Sequence, residues 1–267
     1  MVDDRPIGIF DSGIGGLTVL KEIHALLPHE ELIYLGDTAR VPYGGKSKET
    51  VLRYTLNNVR FLEAQGVKLV VVACNTASAY ALPELLDHDN PPVVGVIEGG
   101  VEAAANSNGA RIGVIGTEAT INSMAYQNAV ARLRPGSQVL AKACPMFVPL
   151  VEEGWVDNEI ALAVAHEYLH EFQGKVDALV LGCTHYPMLK TIISSVLGES
   201  TILIDSARET ARIVSRTLDR LNIACQPRPN RPRIRFQVTD SPKRSMEVAR
   251  RMVGQVDIDD AEYVDIT

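Results

Sequence analysis

The fold is decided by LVVVACNT at residues 69–76 and by ALVLGCTH at residues 178–185. Each stretch is an uninterrupted run of apolar, mostly branched residues that ends in a cysteine and small polar residues. Strands of a parallel sheet are covered on both faces, so they read as continuous apolar runs instead of alternating ones. The two stretches therefore predict two buried parallel strands, each with a cysteine just past its carboxyl end.

Similar apolar runs recur along the whole chain, and segments of helical length and periodicity separate them, as at 47–65, 158–172 and 185–197. Strands and helices that alternate in this way are typical of an α/β fold with parallel sheets and right-handed crossovers. The predicted strands lie at 6–10, 31–36, 68–74, 92–98, 111–116, 139–144, 177–183 and 201–205.

These eight runs form two matched sets of four. RPIGIFDSG at 5–13 parallels ARIGVIGTE at 110–118, and the Val-Pro pair at 41–42 parallels the one at 148–149. Cys74 and Cys183 end the third run of each set. We interpret the pattern as an internal duplication that gives two pseudo-symmetric α/β domains with mainly parallel sheets, and we expect the active site in the cleft between them. The predicted domains are 1–97 together with 208–267, and 98–207.

The C-terminal part of the chain is predicted to return to the first domain. The segment 223–233 is rich in proline and arginine and is predicted to be a connection. A further strand is expected at 233–238, and a last helix begins at Ser241-Pro242, with proline in its first turn. We interpret the acidic tail at 257–267 as a solvated chain end rather than a metal site.

The composition of the chain argues against several classes of binding partner and cellular location. The chain has 267 residues, 46% of them hydrophobic and 22% charged, with a net charge of −7, which argues against nucleic acid or an anionic membrane as a partner. No apolar run is long enough to span a bilayer, and the acidic N-terminus does not fit a signal peptide. Four cysteines do not make a disulfide framework, so we expect free thiols in a reducing compartment, the cytoplasm by default.

The two strand-end cysteines are candidates for chemistry. Ligands of open α/β sheets bind beyond the carboxyl ends of the strands, near helix N-termini. There the positive potential favours a thiolate, and free N–H groups can bind a carboxylate. A lone cysteine is usually a small buried hydrophobe, and we assign Cys144 and Cys225 to that class. Cys74 and Cys183 differ because they form a symmetric pair with polar neighbours.

Two facing thiols suit the inversion of a carbon centre. One thiol would remove a proton from one face, and the other would deliver a proton to the opposite face. Asp11, at the end of the first strand, and His185, two residues past Cys183, are the expected helpers.

The glycines at 13–16 (GIGG) do not make a dinucleotide site. That fingerprint needs a third glycine at position 18, which is Thr18. Close approach of the backbone to a small anionic ligand and a tight structural turn both remain open.

Five stretches carry a resemblance to a known family: FDSGIGGLTV (10–19), GDTARVPYG (36–44), ACNTAS (73–78), GCTHYP (182–187) and VTDSP (238–242). At these residues the chain resembles the glutamate racemases of the aspartate/glutamate racemase superfamily. The resemblance implies a reversible interconversion of L- and D-glutamate without pyridoxal phosphate, other cofactor or metal. It also implies a supply of D-glutamate for peptidoglycan, and hence for cell wall biogenesis and cell shape, by a cytoplasmic homodimer.

The resemblance also implies roles for individual residues. Cys74 would act on D-glutamate and Cys183 on L-glutamate, with Asp11 and His185 assisting. Glu152 is either a polar residue of the cleft or a surface carboxylate. The substrate site would consist of Asp11, Ser12, Tyr43, Gly44, Asn75, Thr76, Thr184, His185 and Glu152. One departure is that Gly99-Gly100 follows Glu98 where the family often has proline, which would loosen the hinge between domains.

Other interpretations compete with this one. HEYLH at 166–170 matches the HExxH pattern of zinc hydrolases, but the helical periodicity places both histidines on the polar face, and no third ligand follows at a familiar spacing. A cysteine hydrolase could use Cys74, His185 and Asp11, but it leaves Cys183 unexplained. A related racemase or decarboxylase acting on aspartate, hydantoins or malonates, and a non-enzymatic binding protein, are the remaining alternatives.

Overall fold

The computed structural model describes residues 3–85, 91–107, 111–227, 232–254 and 256–266, and strands and helices alternate through these ranges. The strands are β1 (Ile7–Asp11), β2 (Leu32–Gly36), β3 (Leu69–Val72), β4 (Val93–Gly95), β5 (Arg111–Gly116), β6 (Gln138–Ala143), β7 (Ala178–Gly182), β8 (Ile202–Asp205), β9 (Ile234–Val238) and β10 (Glu262–Tyr263). The helices are α1 (Leu17–Leu26), α2 (Lys48–Ala64), α3 (Asn75–Leu85), α4 (Val96–Asn106), α5 (Glu118–Asn122), α6 (Ala125–Leu133), α7 (Phe147–Glu152), α8 (Glu159–Leu169), α9 (Lys190–Leu197), α10 (Ser206–Leu221) and α11 (Pro242–Val253).

The strands form two parallel sheets. The first has the order β10-β9-β2-β1-β3-β4, and the second has the order β6-β5-β7-β8. Every strand pairing recorded for the described residues is parallel. The α/β class with mainly parallel sheets is confirmed.

Both sheets are built in the same way. The order β2-β1-β3-β4 recurs as β6-β5-β7-β8. Ile7 of β1 is aligned with Leu69 of β3, and the matching Ile112 of β5 is aligned with Ala178 of β7. The pseudo-symmetry seen in the sequence is therefore present in the strand register.

Three element boundaries differ from the predictions. The apolar run at 92–98 is split, because Gly95 caps a helix that already begins at Val96. The helix expected from 185 starts as a 3₁₀ turn at Tyr186–Leu189, with a proline in its first positions, and becomes α-helical at Lys190. The helix predicted at 158–172 ends at Leu169 and continues as a 3₁₀ turn.

The C-terminal segment returns to the first sheet. β9 pairs with β2, and β10 pairs with β9, so part of the acidic tail forms a sheet edge instead of a fully solvated end. Residues 228–231 of the connecting segment and the last residue lie outside the described residues. α10 packs against both α1 and α4. The domain boundaries 1–97 with 208–267, and 98–207, stay a prediction.

Gly99 and Gly100 serve helix packing. A Cβ atom on Gly99 would lie 2.8 Å from the backbone nitrogen of Thr210 in α10. A Cβ atom on Gly100 would lie 3.1 Å from the ring of Tyr126. The two glycines therefore let α4 approach α10 and Tyr126 closely. The loosened hinge between the domains stays a prediction.

All four cysteines are free, as expected from the composition. In the described part of the chain no helix combines the length and the apolar character needed to cross a membrane.

Candidate active site

The site forms where the strands of both sheets end. β1 and β3 are neighbours, and the N–H of Ala73 donates to the carbonyl of Phe10 at 2.8 Å, which brings Cys74 close to Asp11. β5 and β7 are neighbours in the second sheet, and Cys183 directly follows β7. Each cysteine thus stands at the carboxyl end of the third strand of its repeat, as the sequence predicted.

A cavity of about 240 Å³ joins the two strand ends. It is smaller than the roughly 300–1,000 Å³ of a pocket for a drug-sized ligand, so it suits a small metabolite. Its lining includes both predicted catalytic cysteines, Cys74 and Cys183, and most of the predicted substrate residues: Ser12, Tyr43, Gly44, Asn75, Thr76, Thr184 and His185. Asp11 and Glu152 do not line it.

Cys74 is the residue that precedes α3. Its carbonyl accepts the N–H of Ser78 at 2.8 Å, and its thiol donates to Oγ of Ser12 at 3.4 Å. Burial raises the pKa of Cys74 to about 12, and the charge of Asp11 acts in the same direction. The N–H of Ala77 lowers this pKa, as expected at a helix N-terminus, but burial outweighs it. Cys74 is therefore a thiol at neutral pH.

Cys183 belongs to a chain of three side chains. Its Sγ lies 3.8 Å from Nδ1 of His185, and Nε2 of His185 lies 3.4 Å from Oε1 of Glu152. Burial alone would lower the pKa of His185, but the contacts with Cys183 and Glu152 and the charge of Asp11 raise it to about 10. His185 is therefore an imidazolium at neutral pH, and its positive charge stabilises negative charge on the neighbouring sulfur.

Glu152 contacts His185 without lining the cavity. It ends α7, and its carboxylate faces the ring of His185. The contact with His185 lowers the pKa of Glu152. The contact connects Glu152 with the Cys183 side of the cavity, and a role in substrate binding stays a prediction.

Asp11 is a buried carboxylate at the end of β1. Its Oδ2 accepts the N–H of Gly13 at 3.0 Å. Burial raises its pKa, while the charge of His185 acts in the opposite direction. Because Asp11 also influences the pKa of Cys74, it is electrostatically connected with both sides of the cavity.

The glycines at 13–16 allow close packing within the protein. A Cβ atom on Gly15 would clash with the hydroxyl of Thr184 and would lie 2.6 Å from the ring of His185. Thr18 also donates its hydroxyl to the carbonyl of Thr184 at 3.3 Å. The loop therefore packs directly on residues of the second sheet, and this favours the structural interpretation of these glycines over approach to an anion.

A buried carboxylate holds the loop that carries Tyr43. The hydroxyl of Tyr43 donates to Asp37, as do the amide of Asn58, the guanidinium of Arg40 and the hydroxyl of Thr239. The phenol of Tyr43 is thus engaged within the protein. Asp37 lies within the stretch GDTARVPYG (36–44). The sequence alone does not distinguish a buried aspartate from an exposed aspartate in a loop.

Several lining residues were not selected from the sequence. They are Val41, Pro42, Gly45, Thr117, Glu118, Pro145, Val148 and Pro149. The duplication could have identified some of them. Both repeated Val-Pro pairs line the cavity, and Thr117 occupies the position in the second repeat that Ser12 occupies in the first. The hydroxyl of Thr117 lies 2.8 Å from that of Thr76, which links the two halves.

The HExxH histidines lie elsewhere. His166 and His170 are exposed on the outer side of α8 and the turn after it. Nδ1 of His170 is 3.1 Å from the backbone oxygen of His166. Within the described ranges, no three histidine, cysteine, aspartate or glutamate side chains are grouped so that they could hold a metal ion.

The raised pKa of His185 predicts a pH-dependent stability. The value of about 10 in the folded protein exceeds the usual 6.5, so the stabilisation is complete below pH 6.5 and is lost as the pH rises towards 10. Its contribution to the free energy of unfolding should fall by at most about 1.4 kcal/mol per pH unit. Urea unfolding of the wild type and of His185→Gln should show a difference that narrows from pH 6.5 to pH 10. A difference that stays constant would contradict the assignment.

Known proteins resemble this chain over most of its length. The model of the Asp/Glu/Hydantoin racemase family matches residues 7–214. A glutamate racemase from Geobacter metallireducens is 53% identical over 252 residues, which cover 94% of this chain and 93% of that protein. One from Aquifex aeolicus is 58% identical over 207 residues, covering 77% and 80%. The crystal structure of a glutamate racemase from Francisella tularensis in complex with D-glutamate has a TM-score of 0.92 at 40% identity and covers 99% of both chains.

Proposed function

Since the chain belongs to the Asp/Glu/hydantoin racemase family, we propose that it interconverts L- and D-glutamate by moving a proton at Cα between Cys74 and Cys183. The chain is a racemase, and glutamate racemase is the activity that its relatives support. The observation that carries the two-thiol mechanism is that both cysteines line one small cavity from equivalent positions of two repeated halves. A pseudo-twofold arrangement of this kind would set the two thiols on opposite sides of a bound substrate.

The surroundings of the two sulfurs suit one direction of the reaction. The thiol of Cys74 is protonated and can act as an acid, while the sulfur of Cys183 lies 3.8 Å from Nδ1 of the His185 imidazolium. Cys183 would remove the α-proton of L-glutamate, and Cys74 would deliver a proton to the other face to give D-glutamate. The reverse reaction exchanges the roles. Asp11, His185 and Glu152 would adjust the charge on the two sulfurs.

Substrate binding would use the start of α3. The first N–H groups of a helix lack partners within the helix and carry partial positive charge, so they suit a carboxylate. Asn75 and Thr76 begin α3 and line the cavity. Ser12, Thr184 and the backbone of Tyr43-Gly44 would supply further polar contacts around the amino acid.

The experiment is incubation of the purified protein with L-glutamate in heavy water. The proposal expects D-glutamate to accumulate with deuterium at Cα, because the incoming proton comes from a thiol that exchanges with solvent. Formation of D-glutamate that keeps the original α-hydrogen, or no reaction with glutamate, would overturn the proposal. Aspartate in a parallel reaction tests the related substrate class.

A cysteine hydrolase is the alternative with a specific geometric test. It would use Cys74 as the nucleophile and His185 as its base. In the structure the sulfur next to the ring of His185 belongs to Cys183, whereas the thiol of Cys74 donates to Ser12. The contacts therefore favour acid–base chemistry over the hydrolase.

We also propose that the D-glutamate supplies peptidoglycan synthesis, and hence cell wall biogenesis and cell shape, in the cytoplasm. A homodimer is proposed with it. The chain exposes several large apolar side chains, among them Met146 and Trp155, and a homodimer interface would cover side chains of this kind. Sedimentation at micromolar concentration should show a dimer, and a monomer would contradict this part of the proposal.

A further inference from the structure

A buried tyrosine outside the cavity contacts one of its lining residues. Tyr126 in α6 is completely buried, and its hydroxyl donates to Oδ1 of Asn75 at 2.6 Å. Asn75 is the first residue of α3, is 2% exposed and lines the cavity. The contact joins a helix that follows the second sheet's first strand to the helix that begins beside Cys74.

Because Tyr126 occupies Oδ1 of Asn75, the Nδ2 group is the part of this amide that can bind a ligand. Nδ2 of Asn75 is buried and has no hydrogen-bond partner among the described residues. A buried amide group that lacks a partner costs free energy unless a ligand or water satisfies it. Because Nδ2 can only donate, it suits a carboxylate oxygen of the substrate.

An amide oxygen can only accept, so in the contact between Tyr126 and Asn75 the hydroxyl is the donor. Ser206, the first residue of α10, contacts the same phenol through its side chain. With Oδ1 of Asn75 engaged by Tyr126, Nδ2 is the part of the amide that stays free for a ligand.

The surroundings of Tyr126 hold the ring in place. A Cβ atom on Gly100 would lie 3.1 Å from the ring, and one on Gly182 would lie 3.2 Å from it. Both positions are glycine, so the ring fits closely between α4 and the end of β7. Such packing restricts the position of the hydroxyl, which is what a group that orients another side chain requires.

We propose that Tyr126 is a positioning residue that orients the Asn75 amide, so that Nδ2 binds a carboxylate of glutamate. This inference rests on the proposed function, since it concerns the same substrate. In Tyr126→Phe the amide is free to turn over and present Oδ1, which repels a carboxylate. The KM for both enantiomers should rise about tenfold, as expected for about 1.4 kcal/mol of lost substrate binding. The kcat should stay within about twofold, because neither thiol has changed.

The test is a double-mutant cycle with Asn75→Ala, measured by racemisation kinetics. If Tyr126 acts through Asn75, Tyr126→Phe should raise the KM in the wild-type background and leave it unchanged in the Asn75→Ala background. Ser206→Ala should raise the KM by a smaller factor, because the phenol then loses one of the contacts that hold its hydroxyl in place. Tyr168→Phe is the matched control: it removes a phenol that accepts the N–H of Met146 at 3.3 Å, and it should leave the KM unchanged.

An unchanged KM in Tyr126→Phe, or an equal rise in both backgrounds, would overturn the inference while the wild type still racemises glutamate. Failure of the proposed function would instead show as a wild type without racemisation. If Tyr126→Phe does not fold, the Ser206→Ala and Asn75→Ala pair gives the same cycle with the same two outcomes.

Discussion

Replacing either Cys74 or Cys183 with serine is expected to lower kcat/KM for racemisation by at least about a thousandfold, within the range for loss of an acid–base group. A hydroxyl is a far weaker acid than a thiol, so it can neither hold a proton ready for transfer nor take one from Cα at neutral pH. L- and D-glutamate are mirror images of equal free energy. The kcat/KM of any variant must therefore be the same in both directions, and the loss should be equal from either enantiomer.

Progress curves followed by circular dichroism, started from each enantiomer, would measure this loss. Cys225→Ser is the matched control, because Cys225 is half-buried near Glu30 and takes no part in the cavity. That variant should keep the wild-type rate. A Cys74 or Cys183 variant that retains more than about a tenth of the wild-type kcat/KM would show that its thiol is not an acid–base group.

Replacing His185 with glutamine is expected to lower kcat by about a hundredfold, at the lower end of the range for acid–base groups. The change removes the imidazolium that lies 3.8 Å from Sγ of Cys183, so negative charge on that sulfur is no longer stabilised. It also leaves Glu152 without the partner that lowers its pKa. The step at Cys183 should suffer more than the step at Cys74.

Initial rates of α-proton exchange in heavy water separate these two steps. In His185→Gln the exchange from L-glutamate should slow more than the exchange from D-glutamate. His166→Gln is the control, because His166 is exposed on α8, and it should behave like the wild type. Equal slowing from both enantiomers would show that His185 acts on both thiols. Loss of activity in His166→Gln would show that the HExxH stretch contributes to the reaction.

The sequence predicted those parts of the structure that neighbouring residues encode. β3 and β7 are continuous apolar runs, and the cysteines follow them directly, so strand, strand end and candidate residue could be identified together. The repeat added the relation between the halves, because equivalent residues of duplicated sheets occupy equivalent strand ends. The boundary at Gly95 was missed since an apolar run can belong to a buried strand or to a buried helix.

Contacts between distant segments could not be predicted in the same way. Glu152 meets His185 only because α7 packs beside the turn after β7, and Tyr126 meets Asn75 only because α6 and α3 both pack against α4. The pKa of Cys74 is a similar case. Its position at a helix N-terminus suggested a lowered value, whereas burial in the folded protein raises it to about 12. Burial depends on the whole fold rather than on the residues next to the cysteine.

The placement of the two sulfurs on opposite faces of Cα is tested with the two serine variants. Each variant is incubated with each enantiomer of glutamate in heavy water, and the α-proton is followed by NMR. If the sulfurs lie on opposite faces of Cα, Cys74→Ser should exchange the α-proton of L-glutamate but not of D-glutamate, and Cys183→Ser should do the reverse. Exchange of both enantiomers by one variant, or of the same enantiomer by both variants, would contradict the account.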